Sequence, residues 1–156
     1  MAAIFYSSIE SPLGIVYLTA NHQALTALSF EAPPAFTASP NAILQEAQKQ
    51  LSAYFLKELK TFTLPLEPAG TAFQQSVWNQ LMQIPFGTTW SYMQLALSMN
   101  NPLAIRAVAS ANGKNPIPLI IPCHRIINTG GGLGGYSGGL WRKQWLLEWE
   151  SPTLFS

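Results

Sequence analysis

The residues best suited to do chemistry are Cys123 and His124, the only cysteine of the chain followed directly by one of its two histidines. They end the run from Asn115 to Arg125, in which three prolines and several aliphatic residues restrict the backbone. The thiolate is the reactive form of cysteine, and an imidazole can take the thiol proton. The pair is therefore interpreted either as a positioned nucleophile or as part of a buried structural segment.

Neighbouring residues do not face each other, because side chains alternate along a strand and diverge by about 100° on a helix. A direct contact between Cys123 and His124 would be strained. We expect a bridging water between thiol and imidazole, and a carboxylate that orients the far ring nitrogen. The C-terminal half offers two carboxylates for this task, Glu148 and Glu150, and sequence spacing does not choose between them.

Composition excludes several classes of site. The chain has no aspartate, which removes a Ser-His-Asp triad, an EF-hand loop and aspartate-based metal pairs. One cysteine cannot form a disulfide framework, so a reducing compartment, the cytoplasm, is expected. His22 is far from Cys123 in sequence, and neither a metal site nor a cofactor is predicted. The first residues lack the pattern of a signal peptide, and no apolar run approaches the roughly 18 residues of a membrane span.

Charge is distributed unevenly along the chain. Residues 1–67 carry three lysines and five glutamates, whereas residues 68–147 carry five cations and no acidic residue. The basic half contains the cysteine. This asymmetry indicates a polyanion as partner, although five charges in eighty positions is also simply sparse.

Local patterns predict an α+β fold with two domains. β-branched and aromatic runs between turn residues predict strands at residues 3–7, 14–19 and 24–30. Asn41 can cap a helix with apolar residues at helical spacing, and residues 60–66 form a candidate further strand. The linker 67–70, rich in turn residues, coincides with the change in charge. We therefore predict domains 1–67, a small antiparallel sheet with a helix, and 68–156, mostly helical.

Three helices are predicted before the cysteine. The first follows Thr71 as N-cap, the second begins at Ser91, and the third runs from Leu103 to about Asn112, closed by Gly113. A tight turn between the second and third helices is typical of a helix-turn-helix, of the winged-helix-like kind. The third helix consists of small residues with one long cation, which suits either DNA binding or close protein packing.

A glycine-rich loop, residues 130–139, follows the cysteine. Its G-x-G-x-x-G spacing is not interpreted as a dinucleotide site, because no βαβ unit surrounds it. Tyr136 and Ser137 lie within the loop and could close over a ligand. A last helix is predicted over 140–149, with its tryptophans in the core.

These features meet in one resemblance. The run Ile121-Pro122-Cys123-His124-Arg125 resembles the active-site motif of the O6-alkylguanine-DNA alkyltransferases (methylated-DNA–protein-cysteine methyltransferases). The resemblance extends over about residues 72–150. Further positions that are similar to the family, in family order, are Ser91-Tyr92, Leu95-Ala96, Arg106-Ala107-Val108, Asn115-Pro116, Gly135-Tyr136-Ser137-Gly138-Gly139, Lys143, Leu146-Leu147 and Glu150.

The resemblance implies a catalytic set. Cys123 would accept an alkyl group, His124 would take the thiol proton through a water, and Glu150 rather than Glu148 would orient the histidine. Tyr92 would donate a proton or hydrogen bond to the leaving base. The reaction would be single-turnover direct reversal of DNA damage, since no evident group would hydrolyse the thioether.

The resemblance also implies a DNA-binding set and its substrate. Arg106 would replace an extruded nucleotide in the stack, and its helix, with Ala107 and Ser110, would lie in the minor groove. Asn115 would be a hinge between that helix and the active site. Tyr136 and Ser137 would line the base pocket. The partner would be double-stranded DNA containing O6-alkylguanine, with O4-alkylthymine as an alternative, and the protein a monomer.

Some family members hold zinc in the N-terminal domain. No zinc is expected here, because that domain has no cysteine and one histidine, His22. Two other functions remain open on the sequence. One is a non-catalytic protein that binds alkylated DNA, a class in which the cysteine is replaced. The other is a cysteine hydrolase, which the adjacency of Cys123 and His124 disfavours.

Overall fold

A computed structural model describes the chain from residue 3 to residue 151. The fold is α+β, as the sequence predicts, and the chain divides between Ala69 and Gly70 into two compact units. None of the helices within residues 3–151 is long and apolar enough to cross a membrane.

The N-terminal unit contains an antiparallel sheet of three strands in the order β1-β2-β3. These are β1 (Phe5–Ser11), β2 (Gly14–Ala20) and β3 (Leu25–Ser29). The first strand extends further than predicted, because Ser11 pairs with Gly14 and a two-residue turn joins the strands. The candidate strand at 60–66 is reduced to one bridge between Leu66 and Leu25.

One helix, α1 (Ala42–Phe55), packs on this sheet. Its first turn is capped as predicted, since the Asn41 side chain accepts a hydrogen bond of 3.0 Å from the Leu44 amide. Alternate residues of β2 face the helix side and form the core. The buried set is Val16, Leu18 and Ala20 with Leu44, Ala47, Leu51 and Tyr54.

Two helices of the C-terminal unit begin with a capping box. In α2 (Ala72–Leu81) the cap is Thr71, and in α3 (Tyr92–Ser98) it is Ser91. Each cap side chain accepts from a backbone amide three residues later, and the glutamine at that position accepts through its Oε1 from the cap residue's own backbone amide. Because Ser91 fixes the start of α3, it also fixes the direction in which Tyr92 leaves the helix.

The third helix, α4 (Ile105–Gly113), starts later than predicted, after a single 3-10 turn at Pro102–Ala104. Gly113 does not close it with a left-handed residue; it is the last helical residue and Lys114 follows as the cap. The turn between α3 and α4 instead uses Asn100, which adopts a φ of 56°. Together the two helices form the predicted helix-turn-helix.

A two-strand parallel pairing joins the helix-turn-helix to the cysteine segment. Strand β4 (Trp90–Ser91) immediately precedes α3, and β5 (Ile126–Ile127) immediately follows the turn that carries the cysteine. This pairing brings Tyr92 and Cys123 to the same part of the unit.

The last helix, α5 (Leu140–Glu150), buries other residues than predicted. Its buried side chains are Lys143, Leu146 and Glu150. Trp141 is 53% exposed, and the half-buried Trp145 and Trp149 stack on each other with ring centroids 4.9 Å apart. The expectation of core tryptophans was therefore wrong.

Candidate active site

The segment from Asn115 to Arg125 is an almost entirely buried loop. Asn115 holds it closed: its Nδ2 donates to the Ile121 carbonyl at 2.8 Å, and its Oδ1 accepts from the Ile117 amide at 2.9 Å. Leu119 sits within the loop at a φ of 75°, a strained conformation for leucine. The Asn115 side chain thus lies inside the protein, not on an exposed surface.

The loop ends in a single 3-10 turn, Cys123–Arg125, that carries the thiol. Cys123 is 4% exposed, and burial raises its pKa to about 11. A hydrogen bond with Asn115 and the charge of Lys143 act in the opposite direction. The thiol is therefore protonated at neutral pH and needs a base before it can react as thiolate.

His124 is fully buried, so neither of its ring nitrogens is exposed to solvent. Its Nε2 lies 2.9 Å from Glu150 Oε2, whereas its Nδ1 has no hydrogen-bond partner within residues 3–151. Burial lowers the pKa of His124, and although Glu150 acts in the opposite direction the net shift is downward. A neutral imidazole with its proton on Nε2 presents Nδ1 as an acceptor, and no direct bond joins it to Cys123.

Of the two candidate carboxylates, Glu150 is the one beside the histidine. It also receives two hydrogen bonds from Arg125, Nε to Oε1 at 2.8 Å and Nη2 to Oε2 at 2.9 Å. Burial alone would raise the pKa of Glu150, but His124 and Arg125 lower it to about 2. Glu148 is exposed, and its carboxylate accepts from Gln144 Nε2 at 3.2 Å.

Arg125 and Lys143 are two buried cations beside this site to which the sequence interpretation gave no role. Arg125 also donates from Nη1 to the Ile84 carbonyl at 2.7 Å, so that it anchors Glu150 to the protein interior. Lys143 donates to the carbonyls of Ile126 at 2.6 Å and Gly135 at 3.2 Å, which ties the glycine loop to β5. Burial lowers the pKa of Lys143 to about 8.

A pocket of about 480 Å³ lies between the start of α3, the exposed side of α4 and the glycine loop. Its lining residues include Tyr92, Arg106 and Asn128. Burial and the nearby Cys123 raise the pKa of Tyr92, and a hydrogen bond from Asn112 acts in the opposite direction. Gly134, at a φ of 72°, allows the loop to approach Tyr92: a Cβ there would lie 3.0 Å from the tyrosine oxygen. Asn128 is a pocket residue that sequence reasoning missed.

The two loop residues predicted for the pocket differ in their surroundings. The hydroxyl oxygen of Tyr136 is buried. Burial and the nearby Cys123 raise the pKa of Tyr136 well above its ordinary value. Ser137 is exposed. The structure therefore brings Tyr136 to the thiol and leaves Ser137 at the surface of the loop.

The other predicted DNA-binding residues share one exposed face of α4. Arg106, Ala107 and Ser110 are exposed, and the first two precede Ser110 by four and three residues, so that they lie on the same side of the helix. Leu103, just before the helix, extends this face and is 97% exposed. The opposite side of α4 packs against α2 and α3, where Val108 is buried.

His22 is exposed and packs edge-to-face against Phe5, away from any cluster of ligating side chains. Across residues 3–151, no three His, Cys, Asp or Glu side chains are grouped as a metal site would require.

Comparisons with known proteins agree with this arrangement. Residues 4–68 match the family model of the 6-O-methylguanine DNA methyltransferase ribonuclease-like domain, and residues 72–152 match that of the DNA binding domain. The chain is similar to the methylated-DNA–protein-cysteine methyltransferase of Methanosarcina barkeri, with 43% identity over 97% of this chain and 99% of the relative. The enzyme of that name from Mycobacterium tuberculosis is 44% identical over 94% of this chain and 92% of the relative.

Solved structures give the same result. A crystal structure of the Mycobacterium tuberculosis O6-methylguanine methyltransferase superposes with a TM-score of 0.86 at 42% identity, covering 97% of this chain and 96% of that one. The Mycobacterium tuberculosis OGT in complex with DNA also gives a TM-score of 0.86, at 44% identity and 96% coverage of both chains.

Proposed function

Because the chain belongs to the methylated-DNA–protein-cysteine methyltransferases, we propose that Cys123 is the residue that accepts the alkyl group. Members of this family repair DNA by direct reversal, transferring an alkyl group to a cysteine, and this protein is such an enzyme with DNA as its partner. One observation carries the assignment: Cys123 is the only cysteine in the sequence. Membership of this family argues against a hydrolase, and the presence of Cys123 argues against a non-catalytic binder.

The transfer is a direct displacement at the alkyl carbon. A bond forms between Cys123 Sγ and that carbon while the bond from the carbon to guanine O6 breaks. The thiol proton passes through a water to His124 Nδ1, and the leaving guanine takes a proton from the Tyr92 hydroxyl. His124 and the tyrosinate then exchange proton and charge through solvent, so that the thiol proton is in effect delivered to guanine.

The residues around His124 support this proton path. Glu150 stays ionised, with its pKa lowered to about 2, and holds the Nε2 side of the imidazole. Arg125 fixes the carboxylate in turn. His124 can then take the thiol proton at Nδ1 while Glu150 stabilises the imidazolium that forms. A thiol with a raised pKa can still react in this arrangement, because Cys123 loses its proton to His124 during the reaction rather than before it.

The substrate is O6-alkylguanine in duplex DNA, with O4-alkylthymine as the alternative. The alkylated atom lies within the base stack, so the nucleotide must be extruded to reach a buried thiol. The 480 Å³ pocket beside Tyr92 is large enough for a base. Arg106 borders the pocket on the exposed face of α4, from which its side chain can fill the gap left in the stack.

The exposed face of α4 enters the minor groove. Small side chains at Ala107 and Ser110 allow the helix backbone to come close to the sugar-phosphate edges. The protein acts as a monomer in the cytoplasm, where its thiol stays reduced.

A charge on that face tests the DNA-binding assignment. Ala107→Glu places an anion against phosphate, and we expect duplex affinity to fall at least about tenfold, which corresponds to roughly 1.4 kcal/mol. The melting temperature should not change. Fluorescence anisotropy with a labelled duplex measures the affinity, and Ala42→Glu, at an exposed alanine of α1, is the matched control. Equal losses for both variants would contradict the assignment, and a minor-groove ligand should compete with the wild type.

Intact-mass spectrometry tests the transfer itself. Incubation with duplex containing O6-methylguanine should add one methyl group per chain, and peptide mapping should place it on Cys123. Cys123→Ser should bind the duplex and show no mass change. Repeated turnover by one chain would refute a single-use acceptor, and tight binding without any mass shift of the wild type would support the non-catalytic function.

A further inference from the structure

Asn112 is a buried polar residue of α4 to which the transfer described above gives no role. It is 4% exposed, in the last turn of the helix. Its side chain hydrogen-bonds Tyr92, while its Oδ1 has no partner within residues 3–151. A buried acceptor without a partner loses its hydrogen bond to water and gains nothing in return, so its presence calls for an explanation.

The explanation lies in the two ends of the amide group. Nδ2 only donates and Oδ1 only accepts, whereas a tyrosine hydroxyl can donate once and accept twice. With Oδ1 turned toward Tyr92, the tyrosine would give its proton to Asn112. With Nδ2 turned toward it, the tyrosine oxygen accepts and its proton remains available. The bond lowers the pKa of Tyr92, as expected of a donor to the phenolate.

Tyr92 is confined on its other sides as well. It is the first residue of α3, and its backbone follows directly from the β4–β5 pairing. Gly134 approaches the hydroxyl so closely that a Cβ there would lie 3.0 Å away. Tyr92 also lines the 480 Å³ pocket, which is the open direction left for its proton.

We propose that Asn112 is a positioning residue for Tyr92: its amide donates to the tyrosine oxygen and thereby directs the hydroxyl proton into the base pocket. The proposal rests on the proton-donor role of Tyr92 proposed above. Asn112 does not touch the substrate. Its donor stabilises the negative charge that appears on the tyrosine oxygen as the proton moves to the leaving guanine, and the unpartnered Oδ1 is the consequence of that orientation.

Three substitutions separate the orientation of the amide from its mere presence. Asn112→Leu removes both polar ends at similar volume, Asn112→Asp leaves only acceptors, and Tyr92→Phe removes the proton. The readout is the rate of methyl transfer at saturating duplex, which is independent of DNA affinity. We expect Asn112→Leu to slow transfer about tenfold or more, and Asn112→Asp to slow it further, because the carboxylate accepts the hydrogen bond of the tyrosine hydroxyl and its charge disfavours the tyrosinate.

Three further measurements distinguish a positioning role from a purely structural one. Direct alkylation of Cys123 by iodoacetamide needs no proton from Tyr92, so Asn112→Leu should leave that rate unchanged. In a Tyr92→Phe background, Asn112→Leu should have no additional effect on transfer. The melting temperature of Asn112→Leu should equal or exceed that of the wild type, because an unpartnered acceptor is gone. Asn79→Leu, at an exposed position of α2, is the control and should alter neither rate.

The outcomes distinguish this inference from the function on which it rests. Unchanged transfer by Tyr92→Phe would overturn the proton-donor role and the inference with it. Slow transfer by Tyr92→Phe but normal transfer by Asn112→Leu would overturn the inference alone. Additive losses in the double variant, or a loss of iodoacetamide reactivity in Asn112→Leu, would show that Asn112 acts on the thiol or the fold, and would equally overturn it.

Discussion

At the scale of single residues, Glu150 is a buried carboxylate that depends on its polar contacts. Its two oxygens receive one contact from His124 and two from Arg125, in an interior where it is 2% exposed. These partners stabilise the ionised form, and its pKa falls from 4.5 to about 2. A lowered carboxyl pKa contributes stability that is present above the unfolded value and lost as pH falls toward the folded one.

Glu150→Gln tests this contribution. We expect the wild type to lose stability between about pH 4.5 and pH 2, and the variant to lose less over the same interval because it has no proton to bind. At neutral pH the variant should be less stable by on the order of 3 kcal/mol, since Arg125 remains buried without its counter-charge. Urea unfolding followed at a series of pH values measures both effects.

Glu148→Gln is the matched control, because Glu148 is exposed on the same helix. It should reproduce the wild-type curve. A Glu150→Gln curve parallel to that of the wild type below about pH 4.5 would contradict the lowered pKa.

Part of this residue-level arrangement was accessible from the sequence. Cys123 and His124 are conspicuous because the chain has so few alternatives, and the need for a carboxylate partner follows from their adjacency. The choice of Glu150 over Glu148 came from the resemblance, and the structure places Glu150 at the histidine. The contacts of Arg125 and Asn112 could not be predicted, because they join side chains that are distant in sequence and follow no periodic pattern.

At the scale of elements, the glycine loop matters because it lies against Tyr92. Gly134 combines a left-handed φ of 72° with the close approach to the tyrosine oxygen. At Gly130 in the same loop, no atom lies within 4 Å of the position that a Cβ would occupy, and φ is not left-handed. A side chain at Gly134 would therefore crowd Tyr92 and strain the backbone, whereas one at Gly130 would meet open space.

Gly134→Ala should slow methyl transfer at least about tenfold. The added methyl group strains the backbone and displaces the Tyr92 hydroxyl, on which proton donation depends. Gly130→Ala should transfer at the wild-type rate. Single-turnover kinetics with saturating duplex measures both, and equal rates for the two variants would remove the argument for a tight loop.

The starts of the helices were predictable because Thr71 and Ser91 each precede a glutamine by three residues, a local signal. The buried face of α5 was not. Hydrophobicity favoured its tryptophans for the core, but Lys143 and Glu150 are buried there instead, since their polar contacts compensate for the loss of water. Such compensation depends on partners that the local sequence does not contain.

At the scale of the whole molecule, the structure changes the meaning of the charge count. Five cations and no acid occupy residues 68–147. Two of the five, Arg125 and Lys143, are buried and hold the active site together. Of the other three, Arg106 and Lys114 are exposed and Arg142 is half-buried, where it donates to the Gly138 carbonyl. We propose that these three are the cations of this stretch that meet phosphate.

The salt dependence of DNA binding should reflect the smaller number. With three phosphate contacts from this unit, the slope of log K against log salt should be about −3. Arg106→Ala should reduce it by about one, whereas Lys57→Ala, in the N-terminal unit, is expected to leave it unchanged. Anisotropy titrations at several salt concentrations give the slope, and a value beyond about −5 would require a DNA surface larger than the one proposed.

The division of the chain was foreseeable from Pro68 and Gly70 together with the change of charge, since turn residues and a shift of composition mark connections. The units divide between Ala69 and Gly70. The assignment of residues 1–67 and 68–156 to two domains stays a prediction.

Helix α4 presents Arg106 to the outside and, six residues later, Asn112 to the interior. At about 1.5 Å and 100° per residue, that interval sets both a distance and an angle between the proposed DNA contact of Arg106 and the Asn112 amide beside the Tyr92 hydroxyl. The helix therefore holds these two side chains at a fixed distance from each other. If Arg106 fills the gap in the stack as proposed, we expect a damaged nucleotide to react only where that gap and the alkyl carbon are separated by the distance that the helix sets.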